Sequence, residues 1–259
     1  MAAAMNQKEL QAIYVMWLRQ MKRFIRAKSR IVSTIVEPLF FLFILGFGFN
    51  IATFPGLHGS YINFLAPGII AMAIMFSSMF TGVSVLWDKQ FGFLQEVLVA
   101  PVSRLSIVIG RTLGGATIAL FQGFVILIIA LALGVPIVSI AGLVLTILIM
   151  ILLSFTAVGF GLIIASKMQD FEGFQSIMNL ILMPLLFLSS AFYPVNSSLP
   201  LWLQVLSYAN PLFYMIDGIR GSLTGVNNVI HPLIDLGIIT ILCVVIMGLG
   251  SYFFNKSEA

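Results

Sequence analysis

Uncharged apolar stretches of eighteen or more residues recur along this chain of 259 residues, and few folds can accept them. A run of that length spans the hydrocarbon core of a bilayer as a helix, with all of its backbone hydrogen bonds satisfied internally. The runs are continuous rather than alternating, which argues against a transmembrane barrel. Only 8% of residues are charged against 60% apolar, and the mean hydropathy is +1.11, so no soluble domain of ordinary composition can be assembled from the remainder. The expected fold is therefore an all-α membrane protein with six transmembrane helices.

The spans are expected at about 31–53, 66–87, 105–133, from the GVPIVS turn to about 166, 174–192 and 233–254. They form one transmembrane domain over residues 31–259, preceded by an N-terminal segment, 1–30. No secretory signal precedes the first run. Residues 6–30 read as a basic amphipathic helix. Leu10, Tyr14, Trp17, Met21 and Ile25 follow one face, while Arg19, Lys22, Arg23, Arg26 and Arg30 follow the other, a pattern suited to anionic headgroups. With the N-terminus inside, twelve of the thirteen Lys and Arg fall on cytoplasmic segments and only Arg220 falls outside. That asymmetry places both termini in the cytoplasm.

Residues 88–104 separate the second and third spans. As a helix this stretch puts Phe91, Leu94 and Leu98 on one face and Asp88 and Glu96 on another, with Pro101 as a stop and Arg104 starting the next run. A short amphipathic helix between two spans is where a soluble partner can push on the membrane. Between the last two spans, Pro200, the Asn210-Pro211 pair and Gly221 break an apolar segment into short helices that can dip into the outer leaflet and return, and Asp217 and Arg220 stand at i and i+3.

Enzymatic chemistry has almost no support in this chain, whose expected part is the transport component of an ATP-hydrolysing complex. His58 and His231 fall in or next to outside loops without an obvious carboxylate or cysteine neighbour, Cys243 is alone in an apolar run, and no GxxxxGK[ST] phosphate loop occurs. Ser77, Ser78 and Thr81 on the second span, with Asn179 and Ser189 on the fifth, read either as a weakly polar transport wall or as small-residue helix packing. Gly110, Gly114 and Gly115 read as packing positions. Within the spans, Glu37 and Arg111 are the candidate ionisable groups, and their similar depth predicts a buried pair at a gate.

The basic helix before the first span, the block FLQEVLVAPVSRLSIVIGRTLGGATIALFQG, and the block FLSSAFYP…LPLWLQVLSYANPLFYMIDGIRG together resemble the permease subunits of type-2 ABC exporters, which include drug, lipid and polysaccharide export permeases. The resemblance covers nearly the whole chain. It implies a six-span permease in the cytoplasmic (inner) membrane that works as a homodimer or with a related permease. Two copies of a separate ATPase subunit would dock on the cytoplasmic coupling stretch, residues 88–104, and short re-entrant helices would close the outer end. ATP and Mg would be bound by that partner, leaving this chain without a cofactor or metal. Membrane lipids are the other expected partners, and nucleic acid is not. A secondary transporter or channel is the alternative class; it would need an intramembrane ion relay or inverted repeats, and the sequence has neither.

Overall fold

The structure is a computed structural model that describes residues 7–49, 57, 59–91 and 102–257, all helix and connecting turn. The described helices are α1 (Gln7–Arg26), α2 (Lys28–Gly48), α3 (Tyr61–Gln90), α4 (Arg104–Ala132), α5 (Ile140–Lys167), α6 (Phe171–Phe187), α7 (Leu201–Ala209), α8 (Pro211–Leu223) and α9 (Pro232–Ser257). Five of them, α2, α3, α4, α5 and α9, are long and apolar enough to cross a membrane. α6 is a shorter apolar helix of 17 residues, about 25 Å at 1.5 Å per residue.

Local chemistry sets the boundaries. Ser103, Ser139 and Asp170 lie in extended backbone just before α4, α5 and α6, and each accepts from a backbone N–H in the first turn, at Ser106, Gly142 and Gly173. Such caps satisfy donors that a helix start otherwise leaves open. α1 and α2 are separate helices meeting at Ala27, so Arg30 sits in the first turn of α2 rather than on the basic face of α1. Asn210 ends α7 and caps α8. Its side-chain oxygen accepts from Leu212 N while its amide donates to the Leu185 carbonyl at 2.6 Å, with Pro211 at the first helical position. Gly221 does not break the chain there: α8 continues to Leu223.

α3 is the hub. Nearly every side chain from Tyr61 to Leu86 is buried, and α2, α4, α5, α6 and α8 all pack against it. α9 lies on α5 and α8, and α1 lies on α4. Close approach comes from glycine. A Cβ at Gly110 would stand 2.8 Å from the Ile13 carbonyl oxygen, and one at Gly114 would stand 2.8 Å from Gln20 Cβ, so these two positions let α1 sit directly on the α4 backbone. α2 and α9 instead present rows of large apolar side chains outward, including Val36, Phe40, Phe43 and Phe47 on α2 and Ile241, Val244 and Val245 on α9.

Candidate functional site: an ionic knot, a groove and an outer clamp

Three features occupy the two ends of α3 and the face between them. The first is an ionic knot at Asp88, in the last turn of α3. Its carboxylate accepts from Arg19 at 2.7 and 2.9 Å, lies 2.9 Å from Arg111 Nη2, and has Arg23 at 3.6 Å. The Arg23 guanidinium also rests 4.9 Å above the Trp87 ring. Asp88 and Arg111 are buried, at 6% and 1% exposure, whereas the Arg19 and Arg23 side chains are about a third exposed.

Three expectations change here. Arg111 meets Asp88, not Glu37, because the end of α3 lies against the second turn of α4 while Glu37 stands on the exposed side of α2. Asp88, for its part, is turned inward and is not offered to a soluble partner. Arg19 and Arg23, placed by sequence on a headgroup face, use their guanidinium groups on Asp88. Phe91 is 81% exposed just beyond α3, and Arg104 is the first residue of α4. Leu94, Glu96 and Leu98 lie outside the described residues. Glu9 completes this end: its carboxylate accepts from Ser103 N at 3.0 Å and Ser103 Oγ at 2.8 Å, fastening α1 to the residue that caps α4. Hydrogen bonds from the Ser106 and Ser103 hydroxyls hold the Glu9 carboxyl below its ordinary value of 4.5.

The second feature is a groove of about 390 Å³ between α2, α3 and α6. Its walls are Ser33, Thr34 and Glu37 from α2, Phe76, Met79, Phe80 and Val83 from α3, and Phe171, Gln175, Asn179 and Met183 from the α6 side. Asn179 and Glu37 thus share one opening. Ser77, Ser78 and Thr81 are buried within the chain. Thr81 packs where a Cβ on Gly115 would lie, and the Ser78 hydroxyl donates to the Ile74 carbonyl, so these positions serve helix contact. Ser189 is buried past the end of α6 and bonds back to the Leu186 carbonyl. Thr34 also receives a hydrogen bond from Gln122 of α4, at 2.5 Å, which ties the groove wall to α4.

The third feature is a clamp at the opposite end. Arg220 of α8 is fully buried over the Phe64 ring at 3.9 Å. It donates to the Ser190 carbonyl at 2.7 Å, the Ser190 hydroxyl at 3.2 Å and the Phe64 carbonyl at 3.3 Å, with Asp217 at 3.8 Å. Asp217 accepts in turn from Val229 N and Ile230 N. Ser190 adopts φ +60°, a left-handed backbone that turns its carbonyl onto Arg220. Sequence reasoning missed that acceptor, and no local signal marks it. It also missed Asp235, which is buried in the first turn of α9 against Gly218; neither of its carboxylate oxygens has a hydrogen-bond partner among the described residues. An acidic residue in the first turn of the last apolar run was the available signal for it. Among the described residues no group of three or more His, Cys, Asp or Glu could hold a metal ion.

Long apolar helices around a buried central helix, with ionic knots at both ends and a groove between, define a polytopic helical membrane protein. Residues 11–224 match the sequence pattern described as ABC-2 type transporter. The inner membrane transport permease YadH of Escherichia coli strain K12 is 32% identical over 242 residues, covering 90% of each chain. The ycf38 protein of Cyanophora paradoxa, named as a transport permease, is 29% identical over 214 residues, covering 82% of this chain and 73% of its own. Nodulation protein J of Rhizobium leguminosarum bv. trifolii is 27% identical over 235 residues, covering 86% of this chain and 80% of its own. The chain belongs to the ABC-2 type transporter family and is a membrane permease of that family.

Proposed function

We propose that the chain is the membrane-spanning subunit of an ATP-driven exporter, with six spans counting α6, both termini cytoplasmic, and a transport path formed between two permease copies. In this reading a separate ATPase subunit, one per permease, docks on residues 88–104, the short helices α7 and α8 close the outer end, and the cargo is an amphiphile such as a drug or lipid-like molecule, or a lipid-linked glycan. ATP and Mg belong to the ATPase.

The observation that carries the reading is the knot at Asp88. The chain enters residues 88–104 from a helix end fastened to α1 by Arg19 and Arg23, and leaves through α4, fastened to the same carboxylate by Arg111. A push on that stretch therefore moves α1, α3 and α4 as one body, and α3 is a wall of the groove. The exposed apolar faces of α2 and α6 beside the groove suit a second permease copy across a shared path. A secondary transporter would have no use for a reinforced root at a cytoplasmic loop.

The test is co-purification of the affinity-tagged permease with the ATPase, wild type against Leu94→Ala/Leu98→Ala. The reading predicts loss of the ATPase with the permease dimer intact, since a few buried apolar anchors dominate contacts of this size. A permease that retains its ATPase while its own dimer dissociates would overturn it.

A further inference from the structure

The groove between α2, α3 and α6 has a chemical sign. Among the described residues that line it, Glu37 is the one that is charged, and it is exposed into the opening. It lies nine residues into α2, which is about 14 Å along the helix axis from Lys28. A glutamate side chain is too short to carry its carboxylate that far back to the helix end, so the negative charge belongs to the groove.

The surroundings reinforce that sign. Pro38 has no N–H, so the Thr34 carbonyl, one turn earlier on the same groove-lining helix, lacks its usual intrahelical donor and remains an acceptor. Asn179 and Gln175 of α6 add neutral amides, each with an oxygen that can accept and an NH2 that can donate. Phe76, Phe80 and Phe171 present aromatic surface, and ring faces attract cations. The Arg30 guanidinium sits 4.4 Å from the centre of Phe80, so one face of that ring is already held by a cation of the chain, and Phe76 and Phe171 are the rings left for a ligand. Met79, Met183 and Val83 complete an apolar lining that an alkyl or aryl body can fill.

We propose that this groove binds amphipathic organic cations, with Glu37 as the counter-charge and the phenylalanines and methionines holding the apolar body. The proposal rests on the reading of the groove as a transport path and narrows the cargo to one charge class. Neutral amphiphiles and organic anions are disfavoured: the former leave the carboxylate without a partner, and the latter place like charge beside it.

The experiment uses tetraphenylphosphonium and tetraphenylborate, ions of matched shape and opposite charge. Their binding to the purified permease is measured in nanodiscs of neutral phosphatidylcholine. The wild type should prefer the phosphonium by about tenfold or more, the scale of one partly desolvated charge contact. Glu37→Gln should remove that preference by weakening the phosphonium and strengthening the borate, Glu37→Asp should keep much of it, and Phe76→Leu should weaken the phosphonium more than the borate. Borate binding in Glu37→Gln that is no weaker than in the wild type serves as the check on folding. Equal binding of both ions by the wild type, or a phosphonium preference that survives Glu37→Gln, overturns the proposal. Filling the groove with Asn179→Trp separates the two readings. If this stops ATP-driven transport while the wild type shows no charge preference, the path stands and the cation specificity falls. If Glu37-dependent phosphonium binding is found but Asn179→Trp leaves transport intact, the cation site stands and the path reading falls.

Discussion

Replacing Asp88 by Asn keeps the size of the side chain and removes the charge on which three guanidinium groups converge. The exposed partners lose little: Arg19 and Arg23 are each about a third exposed, and surface ion pairs are worth about 0–1 kcal/mol. Arg111 is different. At 1% exposure it keeps its positive charge in a site where the opposing carboxylate, 2.9 Å away, has become a neutral amide. Breaking a buried pair from one side costs about 3–5 kcal/mol, whereas replacing both partners with apolar groups of similar volume is often near neutral. Asp88→Asn and Arg111→Met should therefore each destabilise by about 3–5 kcal/mol, and the Asp88→Asn/Arg111→Met double variant by clearly less than their sum. Arg19→Ala should cost about 1 kcal/mol or less. Reversible unfolding of the permease in mixed micelles, read as a double-mutant cycle, measures the coupling. Additive single defects, or an Asp88→Asn loss no larger than that of Arg19→Ala, would refute the reasoning.

Other outcomes follow from the same packing. Gly110→Ala drives a Cβ to 2.8 Å from the Ile13 carbonyl oxygen, a backbone atom that cannot swing away; α1 should loosen from α4 at a cost of about 1–3 kcal/mol, seen as faster proteolysis within α1. Arg220→Lys keeps the charge but loses the planar fork that reaches both the Ser190 carbonyl and the Phe64 carbonyl, so it should destabilise nearly as much as Arg220→Met, by about 3 kcal/mol or more; wild-type stability in Arg220→Lys would show that charge alone suffices. The Glu9 carboxyl lies below its ordinary 4.5 in the fold, so its contribution is fully present above that value and is lost as pH falls through the lowered one. The hydrogen-exchange protection of α1, taken relative to the intrinsic exchange rate at each pH, should accordingly be flat near neutrality and fall in wild type below pH 4.5, and Glu9→Gln should abolish that step.

Continuous apolar runs made the long helices legible, and Asn210-Pro211 marked the break between α7 and α8 because a side-chain cap followed by proline has one structural use. The i, i+3 spacing of Asp217 and Arg220 likewise corresponds to a contact at 3.8 Å. Partner choice for Arg111 was not legible. Two carboxylates, Glu37 and Asp88, lay at plausible depths, and only the packing of α3 on α4 decides between them. The face of α1 was misjudged for a related reason. Helical spacing shows which residues share a face, yet it does not show that Arg19 and Arg23 would reach past the membrane surface to a buried acid. Small hydroxyl residues on α3 were ambiguous between wall and packing, and the glycine at 115 that receives Thr81 is a long-range fact with no local signature.

On the proposed coupling, residues 88–104 receive the work of a partner ATPase and hand it to α3 through the Asp88 knot. Its most direct measurement is site-specific cross-linking in the assembled complex. A single cysteine replaces Leu94 in a Cys243→Ala background and is challenged with a short bis-maleimide against the ATPase, with and without nucleotide. The account predicts a permease–ATPase adduct whose yield changes with nucleotide in the otherwise wild-type chain and loses that dependence in Asp88→Asn. An intact complex that gives no adduct from position 94, or an adduct whose nucleotide dependence is untouched by Asp88→Asn, would contradict it.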